Sequence, residues 1–203
     1  MNNERLLLEK MKETLPEKRF LHTSSVMEEV QFISKFFDVD EESLTLGAIL
    51  HDCTKPKSYA EHLDIIKSAG FHATTDDLNS PETLHAITGS IEAKNTFSQP
   101  ETVCQMIRWH STGRENMSLC EKILFLADFI EKTRTYEKCI NTREEFYKKL
   151  NEAANEKERI TVLDTTVSDV LSFTLSFLEK KDLFIHPETY KARDFLKNAL
   201  ENS

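Results

Sequence analysis

Apolar residues along this chain recur at steps of three and four, the repeat of a helix that buries one face. Val26, Val30, Ile33 and Phe37 follow it, and His22, four residues before Val26, falls on the same face. A longer stripe runs through Ile160, Leu163, Val167, Leu171, Leu175 and Leu178. Leu119 to about Ile130 is strongly apolar, and Ser118 with Glu121 forms a capping box at its start. Asp40 is the expected N-cap of a helix through Leu44, Ala48 and Ile49 to His51-Asp52, with Pro56 beyond its end. Residues 3–15 form a short helix ending near Pro16, and the next helix begins near Arg19. Ser80-Pro81 opens a helix to about residue 96, as an N-cap followed by Pro at the first helical position. Further helices cover about 100–110 and Pro187 to about Leu200. Residues 57–79 form a polar connection with a short helix around 60–68 closed by Gly70, 111–114 a loop, and 134–158 a charged helical region. No stretch alternates at period two, and 4 Gly with 5 Pro leave long helices uninterrupted, so the expected fold class is all-α. The expected organisation is one domain, with an N-terminal helix over 1–17 and the main helical unit with its C-terminal helices over 18–203.

Charge narrows the range of partners. The chain of 203 residues carries a formal net charge of −9. It lacks the basic footprint of a nucleic-acid binder. A small anionic substrate requires local cations or metals against that global field. Cys53, Cys104, Cys120 and Cys139 show no two-residue spacing, which reads as reduced thiols and a cytoplasmic protein. The N-terminal leucine run is short and flanked by Glu4 and Glu9, unlike a signal peptide. No apolar run approaches the roughly 20 residues of a membrane span, so no membrane partner is expected.

The informative positions are polar groups inside apolar runs. Asp128 stands in Ile123-Leu124-Phe125-Leu126-Ala127-Asp128-Phe129-Ile130. A buried carboxylate there costs several kcal/mol unless it is paired or bound to a metal. His51-Asp52 follows the apolar segment 44–50, His110 ends Met106-Ile107-Arg108-Trp109, and His85 sits in Leu84-His85-Ala86-Ile87. A single buried His is more often a hydrogen-bonded core residue, and a single buried Asp an ion-pair partner. Four His and two Asp on five expected helices are better read as one metal site built between helices. The set is too large for one tetrahedral zinc site and suits two adjacent metals sharing a bridging Asp.

The order His22, His51-Asp52, Asp128 resembles the HD superfamily of metal-dependent phosphohydrolases, with His85 and His110 in the place of the extra ligands of its dinuclear members. The likeness is greatest to its YqeK-like branch of symmetrical diadenosine tetraphosphate hydrolases. It rests on Arg19-Phe20-Leu21-His22-Thr23, Leu50-His51-Asp52-Cys53-Thr54-Lys55, Leu84-His85, Ile107 to Ser118 with its Thr112-Gly113-Arg114, Ala127-Asp128-Phe129-Ile130-Glu131, and Ile185-His186-Pro187-Glu188-Thr189. The resemblance implies an HD-type helical bundle and two metal ions, iron first, with manganese or another divalent ion as alternatives. It implies one metal on His22, His51, Asp52 and Asp128, and a second on His85, His110 and the other oxygen of Asp52. It further implies attack by a metal-bridging hydroxide on an inner phosphorus of diadenosine tetraphosphate, giving two ADP. Asp52, Lys55 and Arg114 are then the catalytic candidates, and Lys55, Thr112, Gly113 and Arg114 the substrate contacts. Lys132 and Arg134 rank below them, Arg19 is read as holding its helix, His62 and His72 as surface residues, and His186 as structural. An HD nucleotidase, an alarmone hydrolase and a non-catalytic metal or nucleotide sensor are the competing readings. The stripe at 160–178 is assigned to the core, and a homodimer stays open.

Overall fold

Capping chemistry sets where several helices begin in the computed structural model, which describes residues 3–202. The helices are α1 (Asn3–Thr14), α2 (Glu17–Ser34), α3 (Glu41–Leu50), α4 (Tyr59–Ser68), α5 (Thr75–Leu78), α6 (Leu84–Asn95), α7 (Glu101–Trp109), α8 (Leu119–Ile130), α9 (Glu137–Glu152), α10 (Glu156–Lys180) and α11 (Pro187–Glu201). No strand occurs among the described residues, so the chain is all-α. Asp40 caps α3 through the Ser43 amide, and Ser118 and Glu121 form the reciprocal box that opens α8. Further boxes open α4 (Ser58 with Glu61) and α5 (Thr74 with Asp77). Ser80 makes no side-chain cap; a single 3-10 turn, Pro81–Thr83, precedes α6 instead.

The charged region 134–158 is not one helix. It breaks after α9, and Asn155 caps a new helix by accepting from the Glu158 amide. No Gly or Pro marks the break, so breaker counting does not find it. The new helix, α10, carries the whole apolar stripe at 160–178. It has the length and apolar content of a membrane span, yet Leu163, Val167, Leu171 and Leu175 are buried against the rest of the protein.

Packing places helix ends in the interior. α3 lies on α2, α7 and α1, while α8 lies on α2 and α10. Every residue from Leu44 to Leu50 is buried, so α3 delivers His51 and Asp52 into the middle of the core. A smaller cluster of Ile66, Leu84 and Ile87 joins α4 to α6. Gly113 has φ +66, and a Cβ there would stand 3.0 Å from the Ala192 Cβ; only Gly permits both that backbone and the seating of the 111–114 turn on α11.

Asp77 ties three helices together. One oxygen, Oδ2, caps the start of α5 by accepting from the Thr74 amide (2.9 Å) and hydroxyl (2.8 Å). The other, Oδ1, meets Arg108 Nη2 of α7 at 2.7 Å and Nε2 of His186, the cap of α11, at 3.2 Å. Burial pushes the Asp77 carboxyl up. The His186 and Thr74 hydrogen bonds and the Arg108 charge outweigh burial and hold it well below the usual carboxylate range. A depressed carboxylate stabilises the fold above its unfolded pKa of about 3.9 and loses that contribution as pH falls toward its folded value. Asp77→Asn is therefore expected to lose about 3 kcal/mol at neutral pH by urea unfolding. The gap to wild type should shrink below about pH 4; a gap independent of pH would refute a charge-based tie.

Candidate metal centre

Five elements supply the six candidate ligands. His22 lies on the buried face of α2, and His51-Asp52 follow directly on α3. His85 is in the first turn of α6, His110 is the C-cap of α7, and Asp128 is in the last turns of α8. His22, His51, Asp52, His85 and His110 are all buried, and Asp128 is partly open.

Asp52 stands at the middle, and its two oxygens face different pairs of imidazoles. Oδ2 is 3.6 Å from His22 Nε2 and 3.4 Å from His51 Nε2. Oδ1 is 3.3 Å from His85 Nε2 and 3.8 Å from His110 Nε2. Asp128 Oδ1 closes the first side at 3.0 Å from His22 Nε2. His51 Nε2 lies 3.4 Å from His22 Nε2, and His85 Nε2 lies 3.1 Å from His110 Nε2. Two triads, His22 with His51 and Asp128, and His51 with Asp52 and His110, have donor atoms close enough to share one ion.

The outer nitrogens fix which ring atom faces inward. His51 Nδ1 donates to the Ala48 carbonyl at 2.6 Å and His110 Nδ1 to the Ile107 carbonyl at 2.7 Å. Each of these carbonyls belongs to the last turn of a helix and lacks an intrahelical partner. With the proton on Nδ1, both Nε2 atoms are left as ligands. His22 Nδ1 meets Glu131 Oε1 at 3.1 Å. Glu131 is fully buried and is itself held by the Thr133 amide and hydroxyl. Arg143 of α9 donates to the carbonyls of Ile130, Glu131 and Arg134, pinning this segment as α8 ends. Behind His85, the Thr54 hydroxyl donates to its carbonyl at 2.9 Å and meets Thr88 Oγ1, which pairs with His62 Nδ1 at 2.8 Å. His62 is thus buried in a support network and is not the surface residue expected from its polar neighbours.

Electrostatics follow this layout. Burial disfavours charge on His22, but carboxylates on both its nitrogens outweigh that and raise it to about 9. Burial takes His110 down to about 4 and His85 well below the usual imidazole range. Burial would lift Glu131, yet its bonds to His22 and Thr133 hold it at about 2.

Cations gather at the open side. Arg19 Nη1 lies 2.5 Å from Asp52 Oδ2, and Arg134 Nη2 lies 2.6 Å from Asp128 Oδ1. Both line a cleft of about 640 Å³ with Lys18, Lys55 and His22. Lys55 Nζ donates to the Glu82 carbonyl at 3.1 Å and lies 3.2 Å from His85 Nδ1. Arg114 points elsewhere. Its fork meets both oxygens of the capping residue Glu121 at 2.9 and 3.0 Å. Gly113 packs on α11, and Thr112 is buried with its hydroxyl on the Gly113 carbonyl. Glu131, Arg19 and Arg134 carry more of the site than their sequence neighbourhood indicates. The signal available was Glu131 itself, an acid ending an apolar run.

The donor set fits metal ions. Four imidazole nitrogens and two carboxylates converge, with no thiolate among them, which suits first-row divalent or trivalent ions. Glu131 holds a proton on His22 Nδ1, and Asp128, which faces Nε2, favours a cation there. Carboxylates behind metal-bound histidines typically contribute 10- to 100-fold in metal affinity. Glu131→Gln should weaken metal retention in equilibrium dialysis by about that factor while the helical circular dichroism stays intact. Unchanged affinity would remove Glu131 from the centre.

A family model for the HD domain matches residues 19–133, the stretch that holds all six candidate ligands. A protein of Halalkalibacterium halodurans named "Bis(5'-nucleosyl)-tetraphosphatase, symmetrical" is 34% identical over 90% of this chain and 90% of its own. Proteins of the same name from Bacillus subtilis and Staphylococcus aureus are each 30% identical, over 92% and 88% of this chain and 93% and 86% of their own. A crystal structure from Clostridium acetobutylicum, described as a predicted HD superfamily hydrolase involved in NAD metabolism, superposes with a TM-score of 0.84. It is 28% identical and covers 96% of this chain and 97% of its own. The chain belongs to the HD-domain family.

Proposed function

We propose that this HD-domain hydrolase is a symmetrical dinucleoside tetraphosphatase that converts diadenosine tetraphosphate into two ADP. The names of its relatives support that substrate. The observation that carries the reading is Asp52, whose two oxygens face two imidazole pairs at the base of a cation-lined cleft. That arrangement favours two ions; the family resemblance puts iron first, with manganese or another divalent ion as alternatives. His22, His51, Asp52 and Asp128 would hold one ion, and His85, His110 and the second Asp52 oxygen the other. When bound, the ions acidify a water molecule and neutralise phosphate oxygens.

The remaining work falls to the chain. Water adds at one inner phosphorus, and the central bridging oxygen leaves with the other half of the substrate. Arg19, Arg134 and Lys55 neutralise the oxygens on which charge develops. His85 as a ligand keeps its proton on Nδ1, and an ammonium cannot donate to an N–H. Lys55 is then released from His85 toward the cleft it already lines. Arg114 can join them only by giving up Glu121, so its contribution ranks below that of Lys55. Four free thiols, two of them buried, and the absence of a basic surface signal fit a cytoplasmic enzyme of small molecules. α9 to α11 lie beyond the matched stretch but are read as the same domain, because α10 packs on α8.

Incubation of the metal-loaded protein with diadenosine tetraphosphate should yield ADP as the sole nucleotide product. ATP with AMP would overturn symmetric cleavage, and no turnover on this substrate beside turnover of mononucleotides, guanosine alarmones or NAD would move the chain to another branch. Asp52→Ala should lose bound metal and turnover together, and full activity in that variant would end the proposal. Lys55→Ala should lower kcat/KM by about 100-fold with metal content unchanged. An equal loss of metal would assign Lys55 to His85 rather than to phosphate.

A further inference from the structure

A second cavity opens at the other end of the ligand row. It has a volume of about 320 Å³, within the range of small-molecule sites. Its walls are the 79–83 segment, the 111–112 turn, α10 near Thr174 and Leu178, and the Leu183-Phe184 pair between α10 and α11. Ser111 belongs both to this cavity and to the metal centre. Its hydroxyl lies 3.1 Å from His85 Nε2 and 3.1 Å from His110 Nε2. A ligand bound there would be separated from His85 and His110 by one serine.

The lining differs in kind from the cationic cleft. No Lys or Arg contributes to it, and Glu82 is its single acid. Phosphate is therefore disfavoured, while an uncharged flat group with polar edges suits a lining that combines Phe184, Leu178 and Leu183 with several threonines. Leu183 and Phe184 are 53% and 44% exposed, an unusual position for two adjacent large apolar residues. Both ends of their loop are fixed. The Leu183 amide donates to the Leu178 carbonyl, Asp182 adopts φ +52, and His186 is held by Asp77. This is a preformed wall, about half of it open to solvent among the described residues.

We propose that this cavity is the subsite for one nucleoside of the substrate, with the base lying against Phe184 and Leu178 and the phosphates passing Ser111 to the metal centre. The inference rests on the reading of the chain as a dinucleoside polyphosphate hydrolase, and it assigns the nucleoside contacts that reading leaves open. It divides recognition in two: the cleft of Arg19, Lys55 and Arg134 takes phosphate, and the neutral cavity takes base and ribose.

The test is calorimetric binding of ADP and of inorganic tripolyphosphate to the metal-loaded protein, run beside steady-state kinetics. The double variant Leu183→Ala/Phe184→Ala removes the exposed wall, and Leu178→Trp fills the cavity from a different element. Both should weaken ADP binding and raise KM for the dinucleotide about tenfold, the size expected for a lost base-stacking contact, with tripolyphosphate affinity unchanged. Metal content and circular dichroism confirm that each variant is folded. If wild type makes two ADP and both folded variants keep wild-type ADP affinity and KM, the subsite is refuted while the enzymatic reading stands. If wild type makes no ADP but both variants still lose ADP binding, the subsite stands and the substrate assignment falls. If wild type binds no ADP, both fall.

Discussion

A carboxylate taken out of water must be surrounded by compensating groups, and Asp52 imposes that requirement on the whole chain. It is almost fully buried, and its surroundings hold it well below the usual carboxylate range despite the burial. Burying such a charge costs several kcal/mol unless hydrogen bonds and opposite charge are in place. Here the partners come from every side: His22 and Arg19 from α2, His51 from its own turn, His85 from α6 and His110 from α7. None of these is local except His51. The helices must therefore pack in one arrangement before the carboxylate is satisfied. The wholly buried run Leu44–Leu50 supplies the hydrophobic drive that carries Asp52 inward.

Two helix ends then do the same task in the same way. α3 and α7 stop at His51 and His110, and each imidazole closes the last turn by donating to the carbonyl three residues before it. The bond uses an otherwise unpaired carbonyl and turns the free nitrogen toward the centre. A helix C-terminus also carries partial negative charge, so two of them near Asp52, Asp128 and Glu131 make an interior that favours cations. Positive side chains are kept at the rim. A chain of net charge −9 can therefore receive a polyanion, because Lys18, Arg19, Lys55 and Arg134 are gathered at one opening.

Much of this was legible in the sequence for a physical reason. His51, Asp52, His85, His110 and Asp128 interrupt apolar runs, and polar groups there are costly without a purpose. Asp40 and the Ser118–Glu121 box marked helix starts because capping is local. What was hidden depends on distant contacts. His62 sits in a polar stretch that reads as surface and Arg134 ranks only as a secondary phosphate candidate; tertiary packing brings them to Thr88 and Asp128. Arg114 has the sequence context of a phosphate fork, but in the fold Glu121 serves two groups at once, accepting from the Ser118 amide and from two Arg114 nitrogens. The start of α10 was obscured because Asn155 caps it without a proline or glycine nearby.

The segment 128–134 shows how closely ligand and support are fused. Asp128 faces His22, Glu131 backs the same ring from the other nitrogen, and Thr133 holds Glu131. Arg134 returns to Asp128, and Arg143 fastens the backbone between them. Each group stands in place because another does, so their contributions cannot be additive. Loss of Arg143, which touches no ligand, loosens the backbone that carries Glu131 and Arg134 and through them both sides of His22. The position of the His22 nitrogen that faces the candidate centre thus depends on α9, a helix outside the stretch that the family model matches, and α9 supports the centre through Arg143.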